Sequence, residues 1–126
     1  MTTSAPRAVT EAVTEAVTVL VPTFNEAGNV AELLRRLGAA LPARLPSCEV
    51  VFVDDSTDDT AEVIREAART CPYPVTVIRR REPVGGLGGA VVEGIRAAGT
   101  RKPGWIVVMD ADLQHPPELV PDLVEA

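Results

Sequence analysis

Aromatic side chains are scarce in this sequence: Phe, Trp and Tyr together make up 3% of its 126 residues. Any core must therefore be assembled from Val, Leu, Ile and Ala. There is a single histidine, His115, so metal sites or catalytic clusters built from several histidines are excluded. That residue is left as either a loop contact or a site group. Two cysteines, Cys48 and Cys71, stand apart and read as free thiols in a reducing compartment. Positive charge is also short, with 12 Lys and Arg against 18 Asp and Glu and a formal charge of -6. A general nucleic-acid surface needs a basic face and is excluded. A nucleotide is not, because its phosphates can be met by a metal and a few local arginines. No apolar run reaches membrane-spanning length, and the N-terminus lacks the apolar stretch of a secretory signal. The chain reads as soluble and cytoplasmic, with peripheral contact at the cytoplasmic face of a membrane left open.

Several chemical signatures are missing as well. No Gly-x-x-x-x-Gly-Lys-Ser/Thr phosphate loop occurs. The run Gly86-Leu87-Gly88-Gly89-Ala90-Val91 lacks the third glycine of the dinucleotide fingerprint and follows the third strand rather than the first. There is no Gly-x-Ser-x-Gly elbow and no supported Cys/His pair, so covalent catalysis has no candidate. What remains is chemistry carried out by a metal acting on a phosphate leaving group.

What is present is an alternation of short β-branched runs and amphipathic segments. Strands are expected at 17–21, 49–53, 74–78 and 105–109, and helices at about 27–40, 58–70 and 89–98. A last helix is expected from Pro116-Pro117, with Pro121 limiting its regularity. Val30, Leu33, Leu34 and Leu37 follow i, i+3, i+4, i+7 spacing, and Pro42 and Pro46 mark the exit of that first helix. Residues 1–16 are small, polar and Ala/Thr-rich and read as a disordered leader. Four strands alternating with helices imply βαβ units, hence an α/β fold with a parallel sheet whose ligands bind beyond the carboxyl ends of the strands. That rule gathers four loops on one edge: 22–26, 54–59, 79–89 and 110–115.

Those loops are rich in acid. Asp110 and Asp112 follow a buried strand at i, i+2 spacing, so in an extended segment they point the same way, roughly 7 Å apart. Two short carboxylates so placed can share a hard cation, Mg2+ or Mn2+, whose remaining ligands are substrate phosphates. Gln114 continues the series and offers a neutral oxygen. The alternative is a strand end that turns. Asp54 and Asp55 likewise read as a strand-end turn or as site groups, and Asp58 and Asp59 as helix caps. Arg79-Arg80-Arg81 is either a solvated edge or faces a diphosphate. The glycine run 84–89 is either a mobile loop that closes over a ligand or a tight turn.

Together these loops resemble a known family. Val19-Leu20-Val21-Pro22-Thr23-Phe24-Asn25-Glu26, Val51-Phe52-Val53-Asp54-Asp55-Ser56, Gly86-Leu87-Gly88 and Met109-Asp110-Ala111-Asp112-Leu113-Gln114-His115-Pro116-Pro117-Glu118 are similar to family 2 glycosyltransferases of the GT-A fold. The subgroup resembled is that of polyprenol (dolichyl) phosphate mannose synthases and bactoprenol glucosyltransferases. The resemblance implies a Rossmann-like, three-layer α/β/α nucleotide-sugar-binding part over 17–126, and with it a set of roles. Pro22, Phe24 and Glu26 would line the nucleoside pocket, Phe24 replacing the more usual Tyr, and Val53 and Asp55 would contact base and ribose. Asp110, Ala111, Asp112 and Gln114 would meet the donor, with Asp110, Asp112 and Gln114 holding the metal and Asp112 as the catalytic group. The implied reaction is inverting transfer of mannose or glucose from GDP-mannose or UDP-glucose to a polyprenyl phosphate.

Two departures stand out. The second loop is one residue shorter than the usual Asp-Asp-x-Ser-x-Asp-x-Thr, which leaves Ser56 and Asp58 without assigned roles. The chain also ends soon after the metal motif, so it is expected to be the donor-binding half, truncated before the acceptor site. Two rival readings follow: a catalytically silent nucleotide- or metal-binding fragment, perhaps completed by a partner chain, and a phosphoacceptor regulatory domain. The second would need its acidic pair after the first strand, whereas here the pair follows the second.

Overall fold

A computed structural model describes residues 15–99, 103–114 and 116–125. Residues 1–14 of the leader expected over 1–16, and the reading of His115, lie outside the described residues. Four strands alternate with helices: β1 (Val17–Thr23), α1 (Ala27–Arg44), β2 (Cys48–Asp54), α2 (Thr60–Ala68), β3 (Val75–Arg79), α3 (Gly86–Gly99), β4 (Trp105–Val108) and α4 (Val120–Glu125), the last preceded by a 3-10 turn at Pro117–Leu119. All strand pairs are parallel and the sheet order is β3-β2-β1-β4.

The period of two along the strands sorts their side chains into two cores. Val17, Val19 and Val21 of β1 and Val50 and Phe52 of β2 face α1, α2 and α4, where they meet Leu33, Leu37, Ile64, Val120 and Val124. Leu20, Val51 and Val53 point to the opposite face, against Ala90 of α3. The sheet is thus covered on both sides and the molecule has three layers. Helix α3 comes in close. A Cβ built on Gly94 would lie 2.2 Å from Leu20 Cδ1, and Leu20 is fully buried with nowhere to retreat.

Some expectations shift at element ends. Helix α1 runs past the anticipated stop at 40 and includes Pro42. Leu41 and Leu45 are both fully buried and the Leu45 amide bonds to the Leu41 carbonyl, so burial at the end of the helix outweighs the donor lost to proline. Helix α2 is shorter than expected at both ends, because 58–59 belong to the preceding loop and 69–70 to a turn. The glycine run is mostly not a loop: α3 begins inside it, at Gly86, after a turn at 84–85. Pro121 sits at the second position of α4, where its missing N–H is not needed. The two thiols are unpaired, and burial pushes both above the ordinary cysteine range, as befits unreactive sulfurs.

The sheet order fixes where a ligand can sit. The chain moves outward from β1 to β2 to β3, then crosses to the other side of β1 to form β4. The strand order therefore reverses between β1 and β4, and a crevice opens at their carboxyl ends. The α3 contact yields a test. Gly94→Val is expected to lower unfolding free energy in urea by about 1–3 kcal/mol through overpacking against Leu20. Leu20→Ala in the same chain should recover part of that loss, and strictly additive effects of the two changes would contradict the contact.

Candidate functional site

The carboxyl ends of β1 and β2 are tied together by side chains. Thr23 and Asp54 are register partners, and the Thr23 hydroxyl donates to Asp54 Oδ1 at 2.7 Å. The Ser56 hydroxyl donates to the same oxygen at 2.5 Å and accepts the Asn25 amide at 2.7 Å. Asn25 then turns its own side chain back, its Oδ1 accepting the amides of Thr57 at 2.9 Å and Asp58 at 3.3 Å. Its backbone is left-handed, φ 54°, a conformation asparagine tolerates better than most residues. The Glu26 amide donates to Thr60 Oγ1 at 3.0 Å, and that hydroxyl donates to Asp58. Asp58 also accepts the Thr60 amide at 3.0 Å at the start of α2, and the Thr60 hydroxyl bond holds its carboxyl below the usual range. The capping role expected of Asp58 is seen, while Asp59 makes no side-chain cap.

Asp54 is therefore no mere strand end. It is fully buried, accepts two hydroxyls on one oxygen, and carries an unpartnered Oδ2. Its neighbour Asp55 points the other way and takes a two-pronged bond from Arg80, at 2.8 and 2.6 Å. The three arginines separate accordingly: Arg80 turns inward, Arg79 reaches the Ser56 carbonyl at 3.3 Å and Glu62 at 3.8 Å, and Arg81 is exposed.

At the end of β4 the chain leaves extended geometry at once. Leu113 has φ 65°, a costly conformation for leucine, and the Gln114 amide donates to Asp112 Oδ1 at 3.1 Å. Asp110 and Asp112 flank Ala111 at the start of this turn. Both line one cavity of about 530 Å³, together with Pro22, Phe24, Glu26, Asp55 and Ala111. Pro83, Gly86, Leu87 and Ala90 close its other side. Seven of the nine residues singled out from the sequence thus meet around one space. The other two do not line it: Val53 is buried in the core under α3, and the Gln114 side chain is exposed.

The chemistry of this wall is lopsided. Asp110 and Asp112 have no basic partner among the described residues, yet they share a cavity with Glu26 and Asp55. Uncompensated carboxylates repel, and a divalent cation relieves that. Among the described residues no cluster of three or more His, Cys, Asp or Glu forms a complete cage. Two hard oxygen donors opening on a pocket suit a cation such as Mg2+ that takes other ligands from a bound phosphate. On the adjacent wall Phe24 is 62% exposed, an apolar ring presented to the cavity mouth.

Sequence reasoning missed Thr23, Asn25, Ser56 and Thr60 as the frame of the site, and Arg80 as a buried contact. For Ser56 and Thr60 the signal is the short Ser/Thr/Asp-rich second loop, whose polar groups need partners, whereas Thr23 and Asn25 lie in the first loop, where no comparable cluster marks them.

A parallel sheet with paired carboxylates at its reversal point defines a ligand-binding α/β domain of the nucleotide-binding kind. Comparison with known proteins makes the class definite. The profile described as "Glycosyl transferase family 2" matches residues 18–126, and the chain belongs to that family. It is 46% identical over 106 residues to a dolichol-phosphate mannosyltransferase of Pyrococcus furiosus, covering 83% of this chain and 28% of that one. It is 40% identical over 107 residues to an undecaprenyl-phosphate 4-deoxy-4-formamido-L-arabinose transferase of Edwardsiella ictaluri, covering 83% and 31%. Among solved structures it resembles the mannosyltransferase PcManGT of Pyrobaculum calidifontis, in complex with GDP-Man and Mn2+, at a TM-score of 0.71 and 29% identity. That match covers 90% of this chain and 32% of the other. The three-layer, all-parallel architecture is that of GT-A glycosyltransferases. The chain spans about a third or less of the length of these relatives.

The frame makes a prediction of its own. Asp54→Ala strands the buried hydroxyls of Thr23 and Ser56, and stability is expected to fall by about 2–4 kcal/mol in urea denaturation. A change under about 0.5 kcal/mol would show that the carboxylate does not hold the two loops together.

Proposed function

We propose that this chain is the donor-binding part of a metal-dependent, inverting glycosyltransferase that moves mannose or glucose from a nucleotide sugar to a polyprenyl phosphate. The observation that carries the reading is that Asp110 and Asp112 open on the same cavity as Phe24, Glu26 and Asp55. Support comes from relatives named for dolichol phosphate and undecaprenyl phosphate, and from a solved neighbour in complex with GDP-Man and Mn2+.

In this reading Asp110 and Asp112 hold Mg2+ or Mn2+, with the Gln114 oxygen as a further donor. Bound there, the cation supplies Lewis-acid neutralisation of the departing diphosphate. Phe24 gives the base a flat apolar surface, beside Pro22. Asp55 addresses base and ribose, while Val53, buried in the core under α3, is not carried into the pocket. Glu26 has one oxygen fixed by Asn29 Nδ2 at 2.9 Å, which leaves the other for the donor. Ala111, between the two aspartates, is buried. An acceptor phosphate is already anionic at neutral pH, so transfer needs no dedicated general base. The setting proposed is the cytoplasmic face of a membrane; no helix among the described residues is long and apolar enough to cross one.

A second reading keeps the same donor site and drops the transfer: a catalytically silent chain that binds nucleotide and metal. Both readings require the donor site. Calorimetric titration of the chain with GDP and with UDP, with and without Mn2+, tests it. Affinity is expected to depend on Mn2+, and Asp112→Ala is expected to weaken the Mn2+-dependent binding about tenfold or more. Binding indifferent to both metal and Asp112 would remove the assignment. Product formed from added polyprenyl phosphate would separate the transferase from the silent chain.

A further inference from the structure

One charged side chain does not line the donor cavity but binds two residues that do, Asp55 and Gly86. Arg80 immediately follows β3, in a stretch where its neighbours Arg79 and Arg81 are exposed, yet its own side chain is only 5% exposed. Its guanidinium is spread over two walls. Nε donates to Asp55 Oδ1 at 2.8 Å and Nη2 to Asp55 Oδ2 at 2.6 Å, on the β2 side. Nη1 donates to the Val84 carbonyl at 2.9 Å and Nη2 to the Gly86 carbonyl at 3.0 Å, on the α3 side.

The segment it grips has little else to hold it. Val84 is 75% exposed and Leu87 65%, so apolar burial contributes little there. Gly85 and Gly86 are both left-handed, φ 80° and 58°, and glycine loses the most backbone freedom when fixed. The turn also demands glycine further on: a Cβ at Gly89 would lie 1.9 Å from the Val84 carbonyl oxygen. Inside the turn, three backbone bonds bridge the bend: the Val84 amide to the Glu82 carbonyl at 2.8 Å, the Gly86 amide to the Pro83 carbonyl at 3.2 Å and the Gly89 amide to the Gly85 carbonyl at 3.1 Å. Yet Pro83, Gly86 and Leu87 line the donor cavity together with Asp110 and Asp112.

We infer that Arg80 is a positioning residue: through its fork on Asp55 it latches the glycine turn in place before any nucleotide arrives, so that the cavity is built in advance. This rests on the donor-site reading above, and adds to it a residue that acts through Asp55 and the turn rather than on the sugar or its phosphates. The fork is what matters. A lysine keeps the charge but has neither the plane nor the spread of donors needed to meet a carboxylate and two carbonyls together.

The test uses the whole chain in two arms. In the first, without nucleotide, hydrogen exchange is followed at the Gly86 and Gly89 amides in the wild type, Arg80→Lys, Asp55→Asn and the control Arg81→Lys. Arg80→Lys and Asp55→Asn are expected to speed exchange at these amides about tenfold or more while β1 and β2 amides hold their rates, and Arg81→Lys should change nothing. In the second, GDP with Mn2+ is titrated into wild type and Arg80→Lys, with an expected loss of about tenfold in affinity because the turn must then be ordered on binding. Unchanged exchange in Arg80→Lys overturns the latch. So does acceleration spread evenly over β1 and β2, which would mark a general stability role, and so does faster exchange with undiminished GDP affinity. If wild type binds neither GDP nor UDP, the donor-site reading fails, and the exchange arm still decides whether Arg80 holds the turn.

Discussion

The arrangement depends on a buried carboxylate that joins two neighbouring strands where they end. Asp54 receives the hydroxyls of Thr23 and Ser56 on one oxygen, and Ser56 passes the connection on to the Asn25 amide. Parallel strands leave the sheet at the same edge, so their following loops are neighbours by necessity, but neighbouring loops are not thereby rigid. Removing an acceptor strands the donors bonded to it, which is costly when they are buried. The shared acceptor therefore ties the two loops to one another. With it, Phe24 and Glu26 from one loop and Asp55 from the other present themselves to the same space.

A second constraint is topological. Because β4 lies on the far side of β1 from β2, the turn carrying Asp110 and Asp112 is brought up against the first loop from the opposite direction. The carboxylates of three loops then converge from both sides of one strand. Arg80 answers the Asp55 charge locally, whereas Asp110 and Asp112 have no such answer among the described residues. In the proposed donor site this division is physically sensible: the side assigned to the base would be neutralised and held by the protein, and the side assigned to the phosphates would be left for a cation.

Much of this was legible in the sequence. The β-branched runs placed all four strands to within a residue or two at each end, and the i, i+3, i+4, i+7 series of Val30, Leu33, Leu34 and Leu37 marked the buried face of α1. The rule that ligands sit beyond carboxyl ends gathered the four loops, the resemblance picked out Pro22, Phe24, Glu26, Asp55, Asp110, Ala111 and Asp112 within them, and these seven do line one cavity. What escaped was partnership. Nothing in a single chain says that Ser56 will face Asn25, some thirty residues away, or that the middle arginine of three will turn inward. Strand periodicity does say that Val53 alternates with Phe52, and so lies on the α3 face; its assignment to the pocket rested on resemblance alone. The glycine run misled because glycine loosens a chain in isolation, whereas here α3 starts inside it and a guanidinium pins the preceding turn.

The central claim is that Asp110 and Asp112 face one cation at the rim shared with Glu26 and Asp55. Anomalous diffraction at the manganese edge, from crystals grown with GDP-mannose and Mn2+, measures this directly. A manganese peak within ligand distance of both carboxylates, with diphosphate density on its other side, is the predicted result. A peak bound elsewhere, or nucleotide seated in the cavity with no metal beside these aspartates, would contradict it.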